Sequence, residues 1–240
     1  MQPSYSLPRG WRAAALAVAG ALATLFSGCA VPSEFDSARV GPFFTPANTL
    51  GEPSLGGMRR VVVLPIWSGD VAPPEAAAEL DPAIVTALQR EHRFEVVTLP
   101  REESRRRFRA EAMSSTGALP PELMAALKRE YAADAVLFID LTVYKPYRPL
   151  AIGFRAKLAT IDAPRLVWTF DDVFSTEDAA VANSARNFFL GADRRGVPAD
   201  LTPAVLQSPG KFASYAAAAM FSTLPPVIAP VTVVAPANTD

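Results

Sequence analysis

Arg60-Val61-Val62-Val63-Leu64-Pro65-Ile66-Trp67 is a near-continuous run of apolar and β-branched residues. A strand with one wet face alternates apolar and polar residues. This run does not alternate, which is the signature of a strand buried on both faces. Such a strand commits the chain to a layered structure packed around it. Cys29 is the only cysteine, so no intrachain disulfide can hold those layers and packing must supply the stability.

The segments that follow supply the layers. Pro74 to Glu91 reads as a helix, with Leu80, Ile84 and Leu88, flanked by Ala77, Val85 and Ala87, on one apolar stripe. Phe94 to Leu99 is a second strand, ended by Pro100. Glu102 to Met113 reads as a short charged helix and Ser114 to Leu119 as a loop. Pro120 and Pro121 open a third helix through Tyr131, with Leu123, Leu127 and Tyr131 in line.

Ala135 to Tyr144 is a strongly apolar strand. Ala151 to Ile161 alternates, with Ile152, Phe154, Ala156 and Leu158 opposite Arg155 and Lys157. Leu166 to Phe170 alternates as well, and Asp162-Ala163-Pro164-Arg165 between them has turn composition. Period-two patterning on adjacent segments predicts antiparallel strands with one wet face. Ala179 to Leu190 and Ser208 to Thr223 read as helices, the second with a serine N-cap followed by proline. The order β-α-β-α-α-β-β-β-α-α predicts an α/β (α+β) fold, a mixed sheet of about five strands with helices packed on at least one face.

The ends are of another kind. Arg9 and Arg12 precede an uncharged apolar run from Ala13 to Phe26, closed by Ser27-Gly28-Cys29. That is the layout of a secretory signal peptide, and the run falls short of the roughly 20 residues a membrane-spanning helix needs. Leu25-Phe26-Ser27-Gly28-Cys29 resembles the bacterial lipobox, in which the cysteine thiol is lipidated and cleavage leaves it at the N-terminus. Phe26 stands where Leu, Val or Ile is usual. Two or more acyl chains at Cys29 would form a stable anchor at ~0.8 kcal/mol per buried methylene. Ala30 follows the cysteine rather than Asp, which by resemblance to Gram-negative lipoproteins implies the outer membrane. Residues 29–57, rich in proline and glycine, read as a tether; 58–224 as the globular domain; and 225–240 as a proline-punctuated tail.

Removing residues 1–28 leaves 212 of the 240 residues and takes away two arginines and no acids, so the formal charge moves from −1 to −3. A mildly acidic protein has no global electrostatic reason to hold nucleic acid. His92 is the only histidine and sits beside Arg93 at a helix end, where a cation complements the dipole. One histidine and one lipidated cysteine assemble no zinc set, no nucleophile elbow accompanies any serine, and Gly56-Gly57 precedes a strand rather than opening a helix as a phosphate loop would. No cofactor is expected. Asp171 and Asp172, adjacent on a strand, point to opposite faces and make a poor catalytic pair. Asp140 lies inside an apolar strand and needs a partner. Arg101, Arg105 and Arg109 share a helix face, with Glu102 placed to pair with Arg106, and form a candidate patch for an acidic partner.

Several segments look like a family of small bacterial envelope domains that includes the N-terminal domain of the Tol translocation protein TolB, the lipoprotein activator of a penicillin-binding protein and the curli-export lipoprotein CsgG. The stretches are Val61 to Pro65, Ile84 to Arg90 running into Phe94-Glu95-Val96-Val97, Tyr131-Ala132-Ala133-Asp134-Ala135-Val136-Leu137, and the hairpin from Leu158 to Trp168. Together they cover about 58–175, leaving 176–224 as a helical extension. At the helix-to-strand transition small Ala132 and Ala133 let a helix end close to a sheet, and Asp134 can satisfy backbone donors; this chain has Ala132 where the family usually has glycine. The pair of long amphipathic segments that builds the curli exporter's barrel has no counterpart here.

Function is therefore expected to be non-catalytic: a lipid-anchored, periplasm-facing lipoprotein that binds another envelope component in an assembly, export or peptidoglycan-related role. The alternative is a self-associating structural subunit of an outer-membrane export or appendage assembly, and the third reading is an acid-pair glycan hydrolase.

Overall fold

The structure, a computed structural model, describes residues 37–192 and 202–227. The expected signal peptide, the expected lipobox with Cys29 and nearly all of the expected tail lie outside the described residues. Ser37–Val40 (α1) is a single helical turn.

From Gly41 onward the described elements are β1 (Thr49–Gly51), β2 (Arg60–Val63), α2 (Pro74–Arg90), β3 (Glu95–Thr98), α3 (Arg101–Phe108), α4 (Leu123–Tyr131), β4 (Ala135–Lys145), β5 (Ala151–Thr160), β6 (Leu166–Ser175), α5 (Ala179–Ala192), α6 (Thr202–Val205) and α7 (Pro209–Phe221). They form one mixed six-stranded sheet in the order β1-β6-β5-β4-β2-β3, with helices packed on it. Strands β3, β2 and β4 are parallel, whereas β4, β5, β6 and β1 are antiparallel.

The non-alternating run predicts β2, and its burial explains the lack of alternation. Val61 and Val63 enter one core with Leu80, Ile84 and Leu88 of α2 and with Phe212, Met220 and Phe221 of α7. Val62 and Leu64 enter a second core with Phe108 of α3 and Leu123 and Leu127 of α4. Strand β4 divides likewise, Leu137 and Ile139 to the first core and Val136 and Phe138 to the second. In β6, Trp168, Phe170 and Phe174 share the first face, stacked in sequence at 6.1 and 6.3 Å. Each such buried aromatic contributes about 1.5–3 kcal/mol by leaving water, so Phe170→Ala would cost about 3–5 kcal/mol.

Several boundaries differ from expectation, and β2 itself ends at Val63, with Trp67 forming only an isolated bridge to Asp140. Thr49–Gly51, inside the presumed tether, joins the sheet as a sixth strand against Gly51-facing Trp168 and its neighbours. Helix α3 stops at Phe108 rather than Met113, because Arg109 adopts a left-handed conformation (φ 58°) that caps it. Helix α4 starts at Leu123 instead of at the proline pair. Strand β6 runs on to Ser175, five residues past Phe170.

The second core is narrower than the first. α3, α4 and the connecting segment 110–122 cover β3, β2, β4 and the Ala159 end of β5, while on the same face Arg155 and Lys157 of β5, Thr169 and Asp171 of β6 stay half-buried and Val173 of β6 and Leu50 of β1 exposed.

Candidate functional site

Two features lie on or beside this half-covered face. The first stands at the carboxyl ends of β2 and β3. Parallel strands there splay to opposite neighbours, the position where open α/β sheets form crevices. Pro100 brings Arg101 to the first residue of α3, and its guanidinium grips Asp81 of α2 with Nε to Oδ2 at 2.7 Å and Nη2 to Oδ1 at 3.0 Å. Arg101 Nη2 also donates to the Ile66 carbonyl at 2.9 Å, and the Ile66 N–H donates to Asp81 at 3.0 Å. One ion pair thus ties three connections together. Beside it Val63, Ile84, Val85 and Pro100 line an apolar cleft of about 300 Å³.

Arg101 is therefore turned inward and leaves the candidate cationic patch. Arg105 pairs with Glu102 at 3.4 Å and with Glu111, so it too is largely neutralised, while Arg109 is exposed at the helix cap. The expected Glu102–Arg106 pair does not form: Glu102 meets Arg105 instead, and Glu103 meets Arg107 at 2.8 Å.

The second feature is a polar row across the open face. Register places Trp67 beside Asp140, Asp140 beside Arg155, and Arg155 beside Asp171. Partners in register point to the same side, so these four residues from four segments lie in line about 4.8 Å apart per strand. The Asp171 N–H donates to the Asn48 carbonyl at 3.0 Å, which brings β1 to the end of the row. Asp140 is 1% exposed, and its acceptors are filled by the Ser115 N–H at 2.8 Å, the Ser115 hydroxyl at 2.8 Å and the Ser114 hydroxyl at 3.3 Å. The buried acid thus finds the partner it needs in Ser114 and Ser115. Arg155 turns the other way and pairs with Asp171 at 2.7 Å. Lys157, one row along, donates to the Ser115 carbonyl at 3.0 Å. Asp171 and Asp172 diverge as expected: Asp171 lies on the open face, and Asp172 is opposite core-facing Phe154.

A shallow groove of about 270 Å³ runs between β5, β6 and β1, lined by Asn48, Leu50, Arg155, Lys157, Thr169 and Asp171 among others. Its margins are apolar: Leu50 is 76% exposed and Val173 43%. Alternation on β5 and β6 signals a wet face in the sequence. The row itself is hidden there, because it depends on register between residues 73, 15 and 16 positions apart, from Trp67 to Asp140, Asp140 to Arg155 and Arg155 to Asp171.

His92 is exposed in a left-handed conformation (φ 52°) just past α2, and its N–H closes the helix end on the Gln89 carbonyl at 3.2 Å. Among the described residues no group of three His, Cys, Asp or Glu side chains could hold a metal ion. No described helix is long and apolar enough to cross a membrane.

No known protein family and no characterised protein matches the chain. Solved structures similar to it include the PelC dodecamer from Paraburkholderia phytofirmans, at 13% identity and a TM-score of 0.39 over 70% of this chain and 93% of that one. Another is the lipoprotein GNA1162 from Neisseria meningitidis, at 20% identity and a TM-score of 0.39 over 56% of this chain and 93% of that one. A third is the hypothetical protein CT253 from Chlamydia trachomatis, at 16% identity and a TM-score of 0.35 over 50% and 73% of the two chains.

Proposed function

We propose that the chain is a lipid-anchored outer-membrane protein, facing the periplasm, that docks another envelope protein through the open half of its sheet and catalyses no reaction. The lipobox ending in Cys29 supports the anchor. The observation that carries the docking is the partly exposed face of β5, β6 and β1. It combines exposed Leu50 and Val173 with two cations, Arg155 and Lys157, against one anion, Asp171. An apolar margin around a weakly cationic centre suits an acidic, partly apolar protein surface. The polar groups of the row already have partners, Arg155 with Asp171 and Asp140 with Ser114 and Ser115, which favours recognition over chemistry.

Enrichment from envelope extracts with the lipidated protein tests this. Leu50→Glu with Val173→Glu changes two exposed side chains, each worth within about 0.5 kcal/mol to folding. The account expects the wild type to retain an envelope partner that the doubly substituted protein loses. Equal recovery by both proteins would remove the open face from the function. The same face favours a second reading, a self-associating subunit, since exposed Leu50 and Val173 could meet another copy; recovery of only the chain itself would select that reading. Peptidoglycan digestion abolished by Asp140→Asn would overturn the non-catalytic assignment.

A further inference from the structure

Strand β3 is the sheet edge farthest from β1, and among the described residues it pairs only with β2. The Glu95 N–H donates to the Arg59 carbonyl at 2.7 Å and the Leu99 N–H to the Val63 carbonyl at 3.0 Å, so this set of residues bonds inward. By alternation the N–H and C=O groups of Val96 and Thr98 point outward, where no described strand meets them. Natural edges are commonly blunted by charge, proline or a bulge. Between Glu95 and Pro100 this one reads Val96-Val97-Thr98-Leu99, in unbroken register with β2.

The same edge opens onto the cleft of about 300 Å³ at the carboxyl ends of β2 and β3, where Thr98 joins Pro82, Ile84, Val85 and Pro100 in the lining. Thr98 faces it because Val96, two residues earlier, packs on the first core, the side of α2. The charged groups of the cleft, Asp81 and Arg101, are spent on each other and on the backbone of Ile66. A charge entering there would be buried without a partner, so the lining matches a neutral, apolar group. The volume lies at the small end of ligand pockets, which suits a side chain or two. Val85 is half-buried in the cleft wall and takes no part in either core.

We propose that β3 and this cleft together receive an extended, uncharged segment of a partner protein, which adds to the sheet as a seventh strand. Outward N–H and C=O groups at strand spacing are complementary to another extended backbone, and Val96 and Thr98 supply them. The partner residue beside Thr98 shares its face and sends an apolar side chain into the cleft against Pro82 and Val85. The partner residue two places along covers Val96. The segment therefore carries apolar side chains at alternate positions. This edge lies at the far end of the sheet from Leu50, so the proposal is independent of docking on the open face.

Amide hydrogen exchange of the full chain tests this with the end-blocked peptide Lys-Thr-Leu-Thr-Leu-Thr-Lys, whose sequence reads alike in both strand directions. At saturation the Val96 and Thr98 amides should exchange about tenfold or more slowly, while Val97 and Leu99, bonded to β2, stay slow with and without peptide and report an intact fold. The same peptide N-methylated at every inner residue keeps the side chains, loses the backbone donors and should protect neither amide. Val85→Glu sets a charge in the apolar wall and should raise the peptide concentration for half protection about tenfold, with Val97 and Leu99 again slow. Unchanged exchange of Val96 and Thr98, or equal protection by the methylated peptide, would overturn strand addition. Unaltered peptide affinity of the Val85→Glu protein would overturn seating in the cleft. Protection without peptide that rises with protein concentration would assign the edge to a second copy and overturn the partner segment.

Discussion

Asp81 and Arg101, twenty residues apart, form a bidentate ion pair at 2.7 and 3.0 Å that also takes in both backbone groups of Ile66. The side chains are only 27% and 17% exposed, so the pair is poorly hydrated. Removing one partner strands the other and the Ile66 groups. Arg101→Leu should therefore cost about 1–3 kcal/mol of stability, read as a lower urea midpoint at unchanged slope. Adding Asp81→Leu to that variant should recover part of the loss, because no partly buried charge is then left alone.

Asp134 performs the capping anticipated at the helix-to-strand transition. Its Oδ2 accepts the Arg59 N–H at 2.9 Å and the Arg60 N–H at 3.0 Å. Burial alone would raise its carboxyl pKa, but these two bonds, with Lys128 and Arg59 nearby, outweigh that and hold it below its ordinary value of 3.8. A depressed folded pKa means that the contribution is complete above the unfolded value and is lost as pH falls through the folded one. Asp134→Asn should lower stability at neutral pH yet flatten the acid limb below about pH 4, seen in urea midpoints measured from pH 7 to pH 2.

Ala132 caps α4 in the left-handed region (φ 50°), with its N–H bonded to the Leu127 carbonyl. A Cβ costs roughly 1–2 kcal/mol there, whereas glycine enters freely at an unfolded-state entropy cost of about 0.5–1 kcal/mol. Ala132→Gly should thus be neutral to stabilising, by up to about 1 kcal/mol. A loss of stability in thermal unfolding would contradict this account of the turn.

Tyr215 of α7 is buried among Phe174, Phe188 and Phe212, and that burial pushes its hydroxyl up to about 12. A folded pKa raised above the ordinary 10.0 gives a contribution complete below pH 10 and lost as pH climbs toward 12. Burial also raises Tyr131 and Tyr144, so the wild type should lose stability along this limb for more than one reason. Tyr215→Phe should lessen that loss, measurable as a shallower fall in urea midpoint from pH 9 to pH 11.

The doubly buried run of β2, the stripe of α2 and the alternation of β5 are all legible in the sequence, because each pattern is local and repeats with the period of its element. Thr49-Leu50-Gly51 carries no such pattern; only β6 beside it makes it a strand. Arg109 gave no sign of a left-handed cap, since charged residues around it continue the helical pattern. The candidate arginine face failed at Arg101 for a different reason. Helical spacing counts neighbours on one helix and is blind to Asp81 on another. Asp140 was recognisable as a buried acid in need of a partner, but Ser114 and Ser115 lie 25 or 26 residues away in a segment with no period at all.

The docking claim is tested most directly by placing a photoreactive residue at Leu50, on the open face, in the full chain expressed in intact cells. The account predicts a covalent adduct with a second envelope protein, absent when the same group is placed at exposed Glu122, at the start of α4. Adducts with lipid alone at Leu50, or identical adducts at both positions, would contradict it.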